Sequence, residues 1–508
     1  MQYDTTDQTP TTQRVWQLWL LICLVSALVQ ISVLGFSPPL QQDEVQIVDF
    51  GRIALQSDTD WALTWNVGEE RPVSVIPYLG PVLQELAFRV TQPSHFGPRL
   101  LALLGAMFAG TCLLGWFLVR GTPGIAALIL ASAFLLDPTF STSYREARVD
   151  SWAFASALLA CWLLRIAISN ELKYRYKLVV VALAGAALAA APFFWPSAFM
   201  LVPLVLLEFT YLLRAQVMTG GDKRYSGLIP VSSAFVAGGS LASVVLLFPV
   251  FLNWDSHLSG LQFALSVQQH SATLPSSLFD LVAVYEPLIA LAALAALVFK
   301  REWGLLLVLC MAIVLMYQTR IYPQRLIYLL PYVFTIIAGA ATVAWSNDRR
   351  FWSKAIMSRV MAFLLIWNGS LVLVIRPAIA FHEKASSDLT RMMPALKSAI
   401  GTGPFRVLLE DWAAYYSARN LGWKIYRSGL VFPGPAYAEL LQTMDYVIVQ
   451  ERPLYDITKS LIDDNPKFEL HAKIQFEPNN SRSVIWGPIR IPITGHTYPT
   501  LLVFRKLN

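Results

Sequence analysis

Residues 15–44 read VWQLWLLICLVSALVQISVLGFSPPLQQDE. The run from Val15 to Phe36 holds no charge, and two adjacent carboxylates, Asp43 and Glu44, follow it closely. A run of that length is enough to cross about 30 Å of hydrocarbon as a helix. Carboxylates are costly to desolvate, so a pair at the mouth of a membrane helix points to chemistry at the bilayer surface. The run is longer than a signal-peptide core. Asp4 and Asp7 accompany Arg14 before it, and Gly35-Phe36-Ser37-Pro38-Pro39 is a poor cleavage site, so it reads as a retained span.

The rest of the chain repeats this pattern. Of 508 residues, 56% are hydrophobic and 14% charged, where a soluble protein is nearer roughly a quarter charged. The class is a polytopic α-helical membrane protein. Spans are expected at about 15–36, 99–119, 122–137, 150–167, 178–194, 197–213, 227–250, 279–299, 303–318, 325–345 and 354–376, eleven in all. The net charge of +6 is no sign of a nucleic-acid partner. The basic residues mark every second connection instead. They are Arg14, Arg120, the group Arg165, Lys173, Arg175 and Lys177, then Arg214, Lys223 and Arg224, Lys300 and Arg301, and Arg349, Arg350 and Lys354. The positive-inside bias then places the N-terminus in the cytoplasm. Cys23, Cys112, Cys161 and Cys310 all fall inside apolar runs and read as small buried hydrophobes.

The opposite connections face outward. The longest, 37–98, is net acidic, with Trp61, Trp65, Tyr78, Leu83, Leu86 and Phe88 at roughly helical spacing. It is expected to hold one or two helices lying along the interface. Composition changes again near residue 378. Strands are expected at 406–410, 446–450, 468–476 and 501–504, and helices at 386–400, 437–444 and 455–462. The chain therefore divides into a transmembrane module, 1–377, and an outward-facing C-terminal α/β domain, 378–508.

Inside the spans ionisable residues are scarce. Glu208 and Arg359 lie near cytoplasmic ends, where snorkelling accounts for them, and Glu286 lies near an outer end. A transporter or flippase for a lipid-linked sugar, the alternative reading, would need polar groups near the midplane. Here the acids and arginines gather at one end.

Their order carries a resemblance. Asp43-Glu44 follows the first span. Then come Glu69-Glu70-Arg71-Pro72, Phe96-Gly97-Pro98-Arg99-Leu100 at the second span, Asp137-Pro138, and Tyr144-Arg145-Glu146-Ala147-Arg148-Val149-Asp150 at the fourth. This set resembles the GT-C glycosyltransferases, in particular the branch of protein mannosyltransferases and the lipid A aminoarabinose transferase. The likeness is strongest over residues 15–170. The chain departs from the branch at Glu70-Arg71-Pro72, where relatives carry Glu-Lys-Pro. The Trp-Trp-Asp-Tyr-Gly motif of oligosaccharyltransferases is absent.

The resemblance implies a sugar donor on a polyprenyl phosphate, transferred with inversion to a lipid, glycan or protein acceptor on the periplasmic face of a bacterial inner membrane. Such a reaction needs a base for the acceptor proton and a cation for the departing phosphate. Asp43 is the expected base, with Glu44 orienting it or the acceptor, and Asp150 is a third catalytic candidate, although an Asp there also suits a helix N-cap. Arg71 is the expected phosphate contact, with Glu70, Arg148, Arg320 and Arg325 as further donor-binding candidates. Some relatives hold a divalent metal ion, for which Glu70, His257 and His382 are candidate ligands, though their separations carry no ligand spacing. A non-catalytic scaffold working through the C-terminal domain is a further alternative.

Overall fold

The computed structural model describes residues 9–56, 60–63, 75–91, 94–168, 172–219, 227–252, 254–255, 257–258, 303–317, 323–346, 351–387, 389, 392–427, 435–451, 462, 465, 467–475, 484–486, 489–491 and 500–507. Among them, eight helices are long and apolar enough to cross a membrane, and a bent pair makes a ninth. The chain is a multi-pass membrane protein. The expected span 279–299 lies outside the described residues, and that at 303–318 is a shorter apolar helix, Trp303–Tyr317.

Helix α1 (Thr9–Leu34) packs on α4 (Phe96–Val119) and α5 (Gly124–Leu135). The expected third span, 122–137, ends early. The chain bends by 52° between α5 and α6 (Pro138–Arg145). Asp137 and Pro138 cause the break. The Asp137 carboxylate accepts the backbone N–H groups of Thr139 (2.9 Å) and Phe140 (3.0 Å), and Pro138 takes the first helical position, where no N–H is needed. The new direction carries residues 145–150 back to the bundle end where α1 finishes. Helix α7 (Asp150–Ile168) then runs beside α4, followed by α8 (Tyr174–Phe194), α9 (Val202–Thr219) and α10 (Leu228–Leu252).

After Trp303–Tyr317 (α11), a 3₁₀ turn at Pro323–Leu329 leads into α12 (Leu330–Ser346), almost wholly buried. The last expected span, 354–376, is longer than read. Helix α13 (Phe351–Gly369) continues through a π segment at Ser370–Ile375 into α14 (Arg376–Ser387), because nothing in Arg376–Ser387 breaks a helix after Pro377 at its start.

Beyond α14, α15 (Met392–Ala399) leads into a sheet. Strands β1 (Arg406–Leu409), β2 (Lys424–Tyr426), β3 (Tyr446–Gln450), β4 (Phe468–Ile474) and β7 (Leu501–Lys506) lie in the order β2-β1-β3-β7-β4. Strand β1 is parallel to β2 and β3, while β7 is antiparallel to β3 and β4. A separate hairpin pairs β5 (Val484–Trp486) with β6 (Ile489–Ile491). Helices α16 (Tyr415–Asn420) and α17 (Pro435–Gln442) flank the sheet. Strand β2 and α16 are too short for their periodicity to register in the sequence. The expected helix at 455–462 lies almost wholly outside the described residues.

The long first connection contains α2 (Gln42–Leu55) and α3 (Leu79–Val90). They do not lie free on the bilayer surface. Leu40, Val45, Val48, Leu63 and Phe88 share one buried cluster with Leu389, Met392, Tyr415, Tyr416 and Trp423 of the C-terminal segment. The two helices are sandwiched between bundle and sheet. They touch closely at Gly51, where an added Cβ would stand 2.0 Å from the Pro81 carbonyl oxygen. Gly51→Ala is expected to cost about 1–3 kcal/mol through this clash, seen as a lower thermal midpoint of the purified protein; an unchanged midpoint would refute the packing.

Candidate active site

Two ion-pair systems meet where α1, α2, α4 and the α6–α7 corner converge. The first is Glu44 with Arg99. Arg99 lies in the first turn of α4, and Glu44 in the first turn of α2. The guanidinium donates from Nε and Nη2 to the two carboxylate oxygens, both at 2.9 Å, and from Nη1 to the Leu34 carbonyl at 3.0 Å. Both side chains are fully buried. This pair fixes the end of α1, the start of α2 and the start of α4 at one point. His95, one turn before Arg99, is also buried. Burial, and then the Arg99 charge, holds its imidazole well below the usual histidine range.

The second system centres on Arg148. Its Nε donates to Asp150 Oδ2 at 2.8 Å, and Nη1 donates to Asp43 Oδ2. Its guanidinium carbon lies 6.0 Å from the Trp195 ring centroid. Burial works against its charge, but Asp150 and Asp43 outweigh burial and hold the guanidinium above its ordinary range. Asp150, at the start of α7, is 1% exposed and fully engaged. Its Oδ2 also accepts Ser143 Oγ at 3.2 Å, and its Oδ1 accepts the Tyr328 hydroxyl at 2.7 Å. Asp43 differs: its side chain is 51% exposed. It is the carboxylate of this group that a substrate can reach.

The corner that presents Arg148 is a built feature. Ala147 adopts φ 51°, a left-handed conformation in a non-glycine residue. Its carbonyl accepts Gln84 Nε2 from α3 at 2.9 Å, and Arg148 N–H bonds the Ser143 carbonyl at 3.1 Å. Arg145 reaches Ser37 Oγ at 3.1 Å. Arg376, at the start of α14, donates to the Pro138 carbonyl at 2.8 Å and to Ser141 Oγ, pinning α6 from the far end of the sequence. Glu146 stands beside Arg148, Glu44, Arg99 and Asp43. Burial pushes its carboxyl up to about 7, with Arg148 pulling the other way and Glu44 pushing it further.

The structure therefore brings together Asp43, Glu44, Arg148 and Asp150. Arg325 joins them through the 3₁₀ turn. Side chains three apart eclipse in that geometry, so Arg325 shares a face with Tyr328, whose hydroxyl holds Asp150 and feels the Arg325 charge. Glu70, Arg71 and Arg320 lie outside the described residues. Of the candidate metal ligands, His257 is buried beside the backbone of Val75, and His382 is exposed on α14. Among the described residues no three His, Cys, Asp or Glu side chains gather in a metal-holding group.

Sequence reading assigned no role to Arg99, Glu146, Tyr328 or Arg376. Arg99 was visible within Phe96-Gly97-Pro98-Arg99-Leu100 at the second span, but nothing in that motif names its partner. Nothing local marks Tyr328, which lies 178 residues from its partner.

Similarity to solved structures follows this geometry. ArnT from Cupriavidus metallidurans, crystallised with undecaprenyl phosphate, aligns over 96% of this chain and 97% of its own, with a TM-score of 0.59 and 12% identity. This chain shares the fold of ArnT. The apo form of the same protein aligns with a TM-score of 0.55 and 13% identity. The mycobacterial arabinofuranosyltransferase AftD aligns over 97% of this chain and 42% of its own length, with a TM-score of 0.54 and 15% identity. No protein-family model and no curated protein sequence matches the chain.

Two outcomes test the electrostatics. Arg99→Gln strands a buried carboxylate and is expected to cost about 3–5 kcal/mol, with Glu44→Gln in the same chain restoring much of it in thermal unfolding. For Glu146, the folded-state carboxyl at about 7 exceeds its ordinary 4.5. Between those values the unfolded chain releases a proton that the fold retains, so stability falls as pH rises. The stability gap of Glu146→Gln over the native protein is expected to widen from pH 4.5 to 7. A pH-independent gap contradicts the assignment.

Proposed function

We propose that this protein is a membrane glycosyltransferase that moves a sugar from a polyprenyl-phosphate donor to an acceptor, with inversion, at the periplasmic face of a bacterial inner membrane. The observation that carries this reading is the half-exposed Asp43 held on buried Arg148 and Asp150, in a fold shared with ArnT.

Asp43 is the general base. It accepts the proton of the acceptor hydroxyl as that oxygen attacks the anomeric carbon. The bond to the phosphate oxygen breaks on the opposite side, and the polyprenyl phosphate leaves with the electron pair. The contact with Arg148 fixes the direction of Asp43. Glu44 and Asp150 are positioning residues: the first anchors α2 through Arg99, the second aims Arg148. Arg325 and Arg71 are the proposed contacts for charge growing on the phosphate. Arg71 offers two parallel N–H donors where a lysine offers a point charge. The C-terminal domain packs on the helices that carry Asp43, a position suited to acceptor recognition. A transport path gains little support where polar side chains inside the described spans bond locally. Gln30 and Asn368, for example, donate to the Val372 and Ala133 carbonyls.

Purified protein in lipid, given radiolabelled polyprenyl-phosphate sugars and candidate acceptors, tests the reading. Asp43→Asn is expected to lower transfer by about 10²–10⁴-fold with thermal stability retained. Undiminished turnover in a folded Asp43→Asn protein removes Asp43 as the base.

A further inference from the structure

A second charged site lies at the other end of the bundle. Helices α4 and α7 both begin at the acidic–arginine site, at Arg99 and Asp150, and end away from it. Arg120 follows Arg99 by 21 residues and Arg165 follows Asp150 by 15, about 30 Å and about 22 Å along the helices. There, Arg120, Arg165 and Arg214, from three different helical segments, line one cavity of about 400 Å³. Ile168 and Met218 give it apolar walls, and Thr342 adds a hydroxyl. The described lining includes no carboxylate.

The arginines were read from sequence as orientation markers, and Glu208 as a snorkelling residue. The structure separates these roles. Glu208 is fully buried and forms an ion pair with Arg165 at 2.7 Å, with Arg165 Nη2 donating to its Oε1 at 3.2 Å, so it does not reach the interface. The pair fixes one guanidinium at the cavity wall, where it also lies 5.2 Å from the Tyr211 ring centroid. Arg120 packs at 5.9 Å from Trp116. Arg214 remains exposed at the opening. Orienting a protein in a membrane needs basic residues somewhere in a loop. It does not need three guanidiniums, two of them held by aromatic rings, around one volume.

We propose that this cavity binds the phosphate headgroup of an anionic membrane lipid, on the membrane face opposite the acidic–arginine site. Guanidinium forks match phosphate oxygens in pairs, and basic pockets between membrane helices suit such headgroups. The apolar walls favour a lipid over soluble phosphate, because they would cover the glycerol and first methylenes. The proposal is independent of the glycosyltransferase reading.

The test is native mass spectrometry of the full-length protein in neutral detergent, titrated with phosphatidylglycerol or phosphatidylcholine. The double variant Arg120→Gln/Arg214→Gln leaves the Arg165–Glu208 pair intact. Its affinity for phosphatidylglycerol is expected to fall about thirtyfold, with phosphatidylcholine unaffected. The control Lys173→Gln/Arg175→Gln removes equal charge from exposed positions at the same end of the bundle, and is expected to change binding less than about threefold. An equal loss in both variants means general surface charge and overturns the site. Displacement of the lipid by inorganic phosphate reassigns the cavity to a soluble phosphate and overturns the lipid assignment. Should the double variant fail to fold, Arg214→Gln alone is expected to weaken binding about fivefold, and no change there overturns the proposal.

Discussion

A buried guanidinium and carboxylate, Arg99 and Glu44, hold this molecule's working end together. The pair joins the exit of the first span, the helix bearing Asp43 and the entry of the second span. Desolvating two charges is expensive, and their attraction compensates only when the geometry is good and every donor is used. Here the carboxylate takes two N–H groups and the guanidinium also serves a backbone carbonyl. The result is a fixed joint rather than a large gain in stability. Asp43 precedes Glu44 in the chain and inherits that fixed position.

The same use of buried ions extends to the C-terminal domain. Asp49 binds Arg52 at 2.9 Å, accepts the Leu63 N–H at 2.9 Å and accepts the Tyr415 hydroxyl at 2.9 Å. Glu85 receives Arg419 through both oxygens, at 2.6 and 2.9 Å, and also Arg89 at 2.8 Å. Tyr415 and Arg419 both stand on α16, a turn and a half of helix in the C-terminal domain. They bind α2 and α3 across more than 330 residues of sequence. Apolar contacts alone would hold these surfaces but would not set their register, because hydrophobic contact is non-directional. Charged hydrogen bonds supply the direction.

The two ends of the bundle use arginine differently. Near Asp43, Arg99 and Arg148 have carboxylate partners and Arg376 a carbonyl partner, and they sit between helices. At the far end, Arg165 is similarly held while Arg214 stays exposed beside a cavity. The same residue type builds a preorganised site in one place and an open one in the other. The local supply of carboxylates decides which.

Much of the architecture was legible along the chain. Apolar runs of membrane length marked most spans, since a helix must satisfy its own backbone within hydrocarbon. Alternation and β-branched content marked β1, β3, β4 and β7 to within a few residues. Asp137-Pro138 was visible as a motif, but its effect, a 52° bend rather than a simple helix end, depends on the neighbours that accept α6. The sequence by itself determined that this is a multi-pass membrane protein, with its acids and arginines gathered near helix ends and Asp43-Glu44 foremost among them. Only the tertiary structure decided which carboxylates meet which guanidiniums: Glu44 with Arg99, Asp43 and Asp150 with Arg148, Glu208 with Arg165. Hydropathy is a property of segments and is read one residue after another. An ion pair is a property of two distant positions, and it exists only once the helices have packed.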